Sequence, residues 1–213
     1  EVSFYNLNGD EVKKEVTKIT WDSQSAEKGG WEHFMIKEIH EEPKAVKDTI
    51  SSYIKDGRID FSSTGLTNDI LSSISSLRII ACGSSFHVGE AVKSMVEEEA
   101  GIACIVEYAS EYRYRKAILD PNEAVVFISQ SGETADTLAA LRITKERDIK
   151  TIGLVNVVGS AISRESDYVI YTLAGPEIAV ATTKAYSAQL AAMYVFALAL
   201  AVAKNRVDEK REK

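Results

Sequence analysis

The chain predicts an α/β domain, a doubly wound five-stranded parallel sheet flanked by helices and preceded by a β-hairpin. Three observations point there. Short apolar runs alternate with helix-like segments from residue 77 to residue 203. One run, residues 124–129, is unbroken in the manner of a strand buried on both faces. Two polar clusters, Cys82-Gly83-Ser84-Ser85 and Ser129-Gln130-Ser131-Gly132-Glu133-Thr134, each follow a strand-like run and precede a helix-like one. Loops in those places emerge together at one edge of a parallel sheet.

Taken in order, residues 2–21 alternate apolar and polar around Asn8-Gly9-Asp10, a strong short-range hairpin signal. Two strands alone are marginal in water, so this hairpin is expected to pack on the main domain or to be the edge of a missing neighbour. Residues 22–30 are small and polar and read as a linker. Phe34, Ile36, Ile39, Val46, Ile50 and Tyr53 have helical spacing, with Pro43 near a break between two helices. Residues 58–76 form a polar bridge with a short helix.

Strands are then expected at 77–82, 103–108, 124–129, 151–156 and 168–173, with helices near 85–99, 110–116, 133–147 and 160–165 between them. A last helix covers about 180–204. Its residues 190–203 are apolar on all sides, so it needs burial all round, and a second layer from another domain or subunit is expected. Residues 206–213 are a charged tail.

At 213 residues, 45% hydrophobic and 27% charged, with three prolines, the chain can fold as one α/β domain with extra segments. A formal charge of −7 gives no electrostatic footprint for nucleic acid or an anionic membrane, so any anion must be held by a local site. Cys82 and Cys104 read as buried free thiols without a disulfide framework. The longest apolar stretch falls short of the roughly 18 residues of a membrane span, and no signal peptide is apparent, so a cytoplasmic protein is expected. The start at Glu1 and the charged C-terminus hint at a piece of something larger.

The polar clusters carry the chemistry. A helix start has unpaired N–H groups and the positive end of the dipole, and Ser or Thr hydroxyls add donors without bulk or neutralising charge. Ordinary capping explains part of the pattern, with Ser131 on one helix and Ser84 or Ser85 on the other. Yet one cap needs one hydroxyl, whereas Ser129, Ser131 and Thr134 offer three around a glycine. A third polar segment, from Gly175-Pro176-Glu177 to Thr182-Thr183-Lys184, could close the pocket, Lys184 either pairing an acid or sitting beside the ligand. A dinucleotide site is disfavoured: Gly83 and Gly89 lack a middle glycine, and no G-x-x-x-x-G-K-[ST] loop exists. His33, His40 and His87 are scattered, so neither metal nor cofactor is expected.

Ala81-Cys82-Gly83-Ser84-Ser85, residues 129–137, Arg164-Glu165-Ser166-Asp167 and residues 177–186 together resemble the sugar isomerase (SIS) domain of the glutamine–fructose-6-phosphate aminotransferase family. The likeness covers about residues 22–203. It implies an enzyme of three parts, a glutaminase that frees ammonia and two SIS subdomains that make glucosamine 6-phosphate from fructose 6-phosphate. This chain resembles the first SIS subdomain, over residues 31–205, with residues 1–21 as the last edge of the glutaminase. By position, Ser85, Ser129, Gln130, Ser131 and Thr134 would hold the sugar phosphate, Cys82, Gly83 and Ser84 would line the pocket, and Val180, Ala181 and Thr182 would border the sugar. The family's catalytic acid, ring-opening histidine and lysine belong to the second SIS subdomain or its tail, so no catalytic residue is expected here. The resemblance also implies a homodimer. The competing expectations are a free-standing SIS sensor of sugar phosphates and a structural module in which the apolar helix is an assembly surface.

Overall fold

A computed structural model describes residues 2–13 and 27–207 of the chain. The Asn-Gly signal produces its hairpin: β1 (Phe4–Tyr5) pairs antiparallel with β2 (Glu11–Val12), and Asn6 closes the turn by accepting the Asn8 and Asp10 N–H groups. All described residues of the hairpin, Phe4, Tyr5 and Leu7 included, are exposed. The remainder of the expected hairpin and part of the expected linker lie outside the described residues.

Pro43 does not break the next element. One helix, α1 (Phe34–Ser51), runs through it. Pro43 and Ile39 are both exposed, so the proline ring lies on the outer side of the helix. Of the spaced residues, Ile50 and Tyr53 meet the core. Ile36 and Ile39 are 38% and 44% exposed, while Lys37, Glu38, Ala45 and Thr49 are buried. The charged side chains can be buried because they are paired, as described below.

A second hairpin, not expected from the sequence, follows. Here β3 (Ile54–Lys55) and β4 (Arg58–Ile59) pair around Asp56-Gly57, whose φ values of 51° and 75° are those of a tight two-residue turn. The short helix of the bridge is α2 (Asn68–Ser73), with the Thr67 hydroxyl accepting the Ile70 N–H.

The sheet elements then come as their sequence patterns require. They are β5 (Ser76–Ala81), α3 (Gly83–Met95, ending in a π-turn to Ala100), β6 (Ala103–Tyr108), α4 (Ala109–Tyr112), β7 (Glu123–Ser129), α5 (Ala135–Lys145), β8 (Lys150–Val155), α6 (Ala161–Glu165), β9 (Tyr168–Tyr171) and α7 (Lys184–Ala203). The last helix starts at Lys184 rather than near residue 180. All five main strands are parallel, in the order β6-β5-β7-β8-β9. The chain leaves β5 to one side for β6 and returns to its other side for β7, so the topological switch point lies between β5 and β7.

Side chains alternate across the sheet. Ile79, Val126, Ile128, Leu154 and Ile170 face α3 and α7, and Ile80, Val125 and Phe127 pack with Tyr112, Leu141 and Ile162 on the opposite layer. On that second face Arg78 is buried, its guanidinium donating to Glu123 at 2.6 Å, to the Ile118 carbonyl at 3.1 Å and to Glu107. Burial pushes the Glu107 carboxyl up, but hydrogen bonds from Arg115 and Arg78 outweigh it and hold it below its ordinary value.

The apolar helix α7 finds its burial within the chain, against α1, α2, α3 and the sheet, so it does not require the second layer expected from another domain or subunit. Tyr194 stays exposed. The length and composition of α7 would suit a membrane span, and here it is a core helix. At the β9 edge, the Tyr53 hydroxyl donates to the Tyr171 carbonyl and accepts its N–H, both at 2.7 Å. That contact occupies backbone groups an edge strand would leave open. Burial pushes the Tyr53 phenol up to about 12, so the donor proton is kept.

Candidate functional site

The loop after β7 is built by its own hydroxyls. Ser129 is buried, its Oγ lying 2.8 Å from Thr134 Oγ1 and accepting the Gly132 N–H at 3.0 Å, and Ser131 Oγ accepts the Glu133 N–H at 3.2 Å. Ser131 therefore does not cap α5. The N-cap is Thr134, and its side chain makes no capping bond. The hydroxyls bond within the loop, and the start of α5 keeps no side-chain cap on N–H groups that carry partial positive charge.

This loop sits directly on the β8–α6 connection. Gly132 has φ of 66°, and a Cβ there would stand 2.0 Å from Ser160 Oγ. The Gly132 and Gln130 carbonyls accept the Ile162 and Asn156 N–H groups at 3.0 and 3.1 Å, and the Glu133 carboxylate accepts the Ala161 N–H at 2.7 Å. Glu133 thus caps α6. Ser160, the N-cap of α6 by position, makes no side-chain cap bond. Arg142 grips Glu165 with two bonds of 2.8 and 2.7 Å, tying α5 to α6. That bond holds the Glu165 carboxyl below its ordinary value.

The loop after β5 lies beside it. Cys82 is the N-cap of α3 without a side-chain cap bond, and neither Ser84 nor Ser85 takes the expected capping place. Thr137 Oγ1, in the first turn of α5, donates to Cys82 Sγ at 3.8 Å, which brings the two loops together. Cys82 is half-buried rather than fully buried, while burial pushes the Cys104 thiol up to about 12. Ser84 and Gly83 are exposed. Ser85 is buried, its hydroxyl donating to Gln189 Oε1 of α7 at 3.1 Å.

The third polar segment, residues 172–183, has no regular structure and is pinned by side chains. Asn156 accepts from Thr172 Oγ1 at 3.1 Å and the Ala174 N–H at 3.0 Å, and donates to the Gly175 carbonyl at 2.7 Å. Thr49 accepts the Leu173 N–H, and Glu38 accepts the Ile178 and Ala179 N–H groups at 2.7 and 3.1 Å. Glu177 caps α7, accepting the Thr183 and Ala185 N–H groups and the Thr182 hydroxyl. Lys184 is buried and donates to Glu41 at 2.6 Å, so of its two expected roles it pairs an acid. Val180 and Ala181 are exposed and Thr182 is half-buried.

The arrangement suits an anion held by neutral donors: two helix starts without side-chain caps, three hydroxyls before α5, and no Lys or Arg in either loop. Glu133, Glu177 and Glu38 each accept backbone N–H groups. Among the described residues no group of three or more His, Cys, Asp or Glu is arranged for a metal ion. Cavities of about 400 Å³ beside β3 and β4, and about 500 Å³ along β9, are lined by other residues. Sequence reasoning missed Asn156, Glu38 and Gln189. Asn156 had a signal, a lone amide closing an apolar strand. Glu38 and Gln189 had none, because their partners lie 140 and 104 residues away.

A profile of the SIS domain family matches residues 70–199. The chain is 47% identical over 210 residues to the glutamine–fructose-6-phosphate aminotransferase (isomerizing) of Clostridium tetani, covering 98% of this chain and 34% of that protein. Its counterpart in Aquifex aeolicus is 48% identical over 212 residues, covering 99% and 33%. A solved C-terminal domain of glucosamine-fructose-6-phosphate aminotransferase from Francisella tularensis matches with a TM-score of 0.83 at 40% identity, covering 86% of this chain and 52% of that one. The chain therefore spans about a third of the length of the curated relatives it matches.

Proposed function

Because this chain belongs to the SIS-domain family, we propose that its two serine loops hold the phosphate of fructose 6-phosphate or glucosamine 6-phosphate, as one half of the isomerase part of a glutamine–fructose-6-phosphate aminotransferase. The observation that carries this reading is the pair of helices, α3 and α5, that start at the switch point without side-chain caps while hydroxyls cluster in front of α5. Ser129, Ser131 and Thr134 hold the phosphate with the first N–H groups of α5. Gln130, Ser84, Cys82 and Gly83 line the pocket. Ser85 contributes from beneath, shared with Gln189, and Val180, Ala181 and Thr182 border the sugar.

On this reading the groups that move protons, and the glutaminase that supplies ammonia, are on other parts of the enzyme. Residues 1–21 are the edge of that glutaminase, 22–30 a linker, 31–205 the sugar-phosphate domain and 206–213 a tail; the exposed Phe4, Tyr5 and Leu7 of the hairpin fit such an edge. A cytoplasmic homodimer belongs to the same reading. The sensor alternative has less behind it, since relatives at 47% and 48% identity are named as aminotransferases.

Calorimetry with glucosamine 6-phosphate and with unphosphorylated glucosamine tests it, on this chain and on Ser131→Ala. The substitution removes one charge-assisted bond and should weaken the phosphorylated ligand by about 1.5 to 3 kcal/mol, roughly tenfold or more. Equal binding of both sugars would sink the phosphate site, and turnover by this chain alone would overturn the half-site.

A further inference from the structure

The acids on α1 have no place in the anion site, yet they reach the segment beside it. Glu38 is 2% exposed and receives the Ile178 N–H at 2.7 Å and the Ala179 N–H at 3.1 Å. One turn on, Glu41 takes the buried Lys184 at 2.6 Å and lies 3.5 Å from Lys37, and Glu42 accepts the Ser187 hydroxyl at 3.0 Å. Between these anchors stand Val180 and Ala181, exposed, in a stretch with no helix or strand of its own. A buried carboxylate is retained only where donors compensate its lost hydration. Here the donors are the two amides immediately before Val180.

We propose that Glu38 is a positioning residue for sugar recognition, holding Ile178 and Ala179 so that Val180 to Thr182, which border the sugar on the reading above, stand fixed. The proposal rests on the sugar-phosphate reading above and names the group that makes its sugar-facing wall rigid before ligand arrives. Pre-organisation of this kind removes an ordering cost from binding. Phosphate itself, gripped by residues 129–134 and the start of α5, does not depend on that wall. Glu38 should therefore act on the sugar and not on the anion.

The test compares wild-type chain, Glu38→Ala and Glu38→Gln, each titrated calorimetrically with glucosamine 6-phosphate and with inorganic phosphate, alongside amide exchange at Ile178 and Ala179. Glu38→Ala should speed exchange at those two amides at least tenfold, weaken glucosamine 6-phosphate about tenfold, and leave inorganic phosphate within twofold of wild type. Glu38→Gln keeps volume and an acceptor oxygen and should lose about threefold for the sugar phosphate only. Unchanged exchange in Glu38→Ala, unchanged sugar-phosphate affinity, or an equal loss for both anions would overturn the proposal. Should Glu38→Ala not fold, the same comparison of the two anions on Glu38→Gln decides it. Failure of the wild-type chain to bind either anion would instead remove the sugar-phosphate reading, while the exchange result would still show whether Glu38 holds the segment.

Discussion

In the loop after β7, Ser129 finds its partners three and five residues on, at Gly132 and Thr134, whereas in the 172–183 segment the Ile178 N–H is taken by a carboxylate 140 residues away. Both regions border the same sheet edge. The first is a knot in which Ser129, Ser131 and Thr134 bond within the loop, pressed onto α6 by a glycine, with its Gln130 and Gly132 carbonyls taken by Asn156 and Ile162. The second is a length of chain without regular structure whose backbone groups are satisfied by Asn156, Thr49, Glu38 and Glu177. A buried or half-buried loop must find partners for its N–H and C=O groups, and the two regions solve that problem by near and by distant means. The hydroxyl bonds of the near solution span no more than five residues. The distant one exists only when α1, β8 and α7 are all in place.

The sharpest way to break the near solution is Gly132→Ala. Its Cβ would meet Ser160 Oγ at 2.0 Å and Ser160 Cβ at 2.5 Å, at a φ of 66° that L side chains rarely adopt. Overpacking and backbone strain together should cost about 2–4 kcal/mol in urea unfolding. Adding Ser160→Gly should return part of that loss, because it removes the atoms in the way. A cost below about 0.5 kcal/mol would show that the loop is not pressed on α6 at all.

Next in size is Asn156→Ala, which separates the two regions at one residue. Its backbone N–H serves the first loop through the Gln130 carbonyl, while its side chain makes three bonds to the 172–175 stretch. Truncation keeps the former and strands the latter, so about 2–3 kcal/mol of stability should be lost. Amide exchange should quicken at Ala174 and stay slow at Gly132. Quickening at both would mean the regions are one unit.

The smallest effect is expected from acid. The Arg142 bond holds the folded-state pKa of Glu165 below its ordinary value of 4.5, so near that pH the folded state binds fewer protons than the unfolded one. The stabilisation is complete above about pH 4.5 and is lost as pH falls through the folded pKa. Arg142→Met should flatten that part of the stability–pH curve. It should do so without altering exchange at Ile178, because the pair fastens α5 to α6 and not α1 to the third segment.

The same contrast explains what was legible beforehand. Residues 124–129 announced a central strand because burial on both faces demands an unbroken apolar run, and β7 is buried along its length. The two serine loops were legible because glycine and hydroxyls between strand and helix are local signals. Ser131, and Ser84 or Ser85, were misassigned as caps because sequence spacing cannot say which nitrogen a hydroxyl meets. Pro43 misled because a helix can run through a proline that sits on its exposed side, which spacing alone does not reveal. Asp56-Gly57 was a readable turn, missed because strands of two residues carry almost no periodicity.

By itself the sequence determined the parallel sheet, its order of elements and the two donor-rich loops, since each follows from periodicity or turn chemistry acting over a few residues. Only the tertiary structure decided that Glu133 caps α6, that Lys184 pairs with Glu41, that Glu38 holds Ile178 and Ala179, and that α7 is buried by its own chain. Those contacts join residues far apart in sequence. A carboxylate's partner is whichever donor the folded chain brings within reach, and nothing in its neighbours along the chain records which one that is.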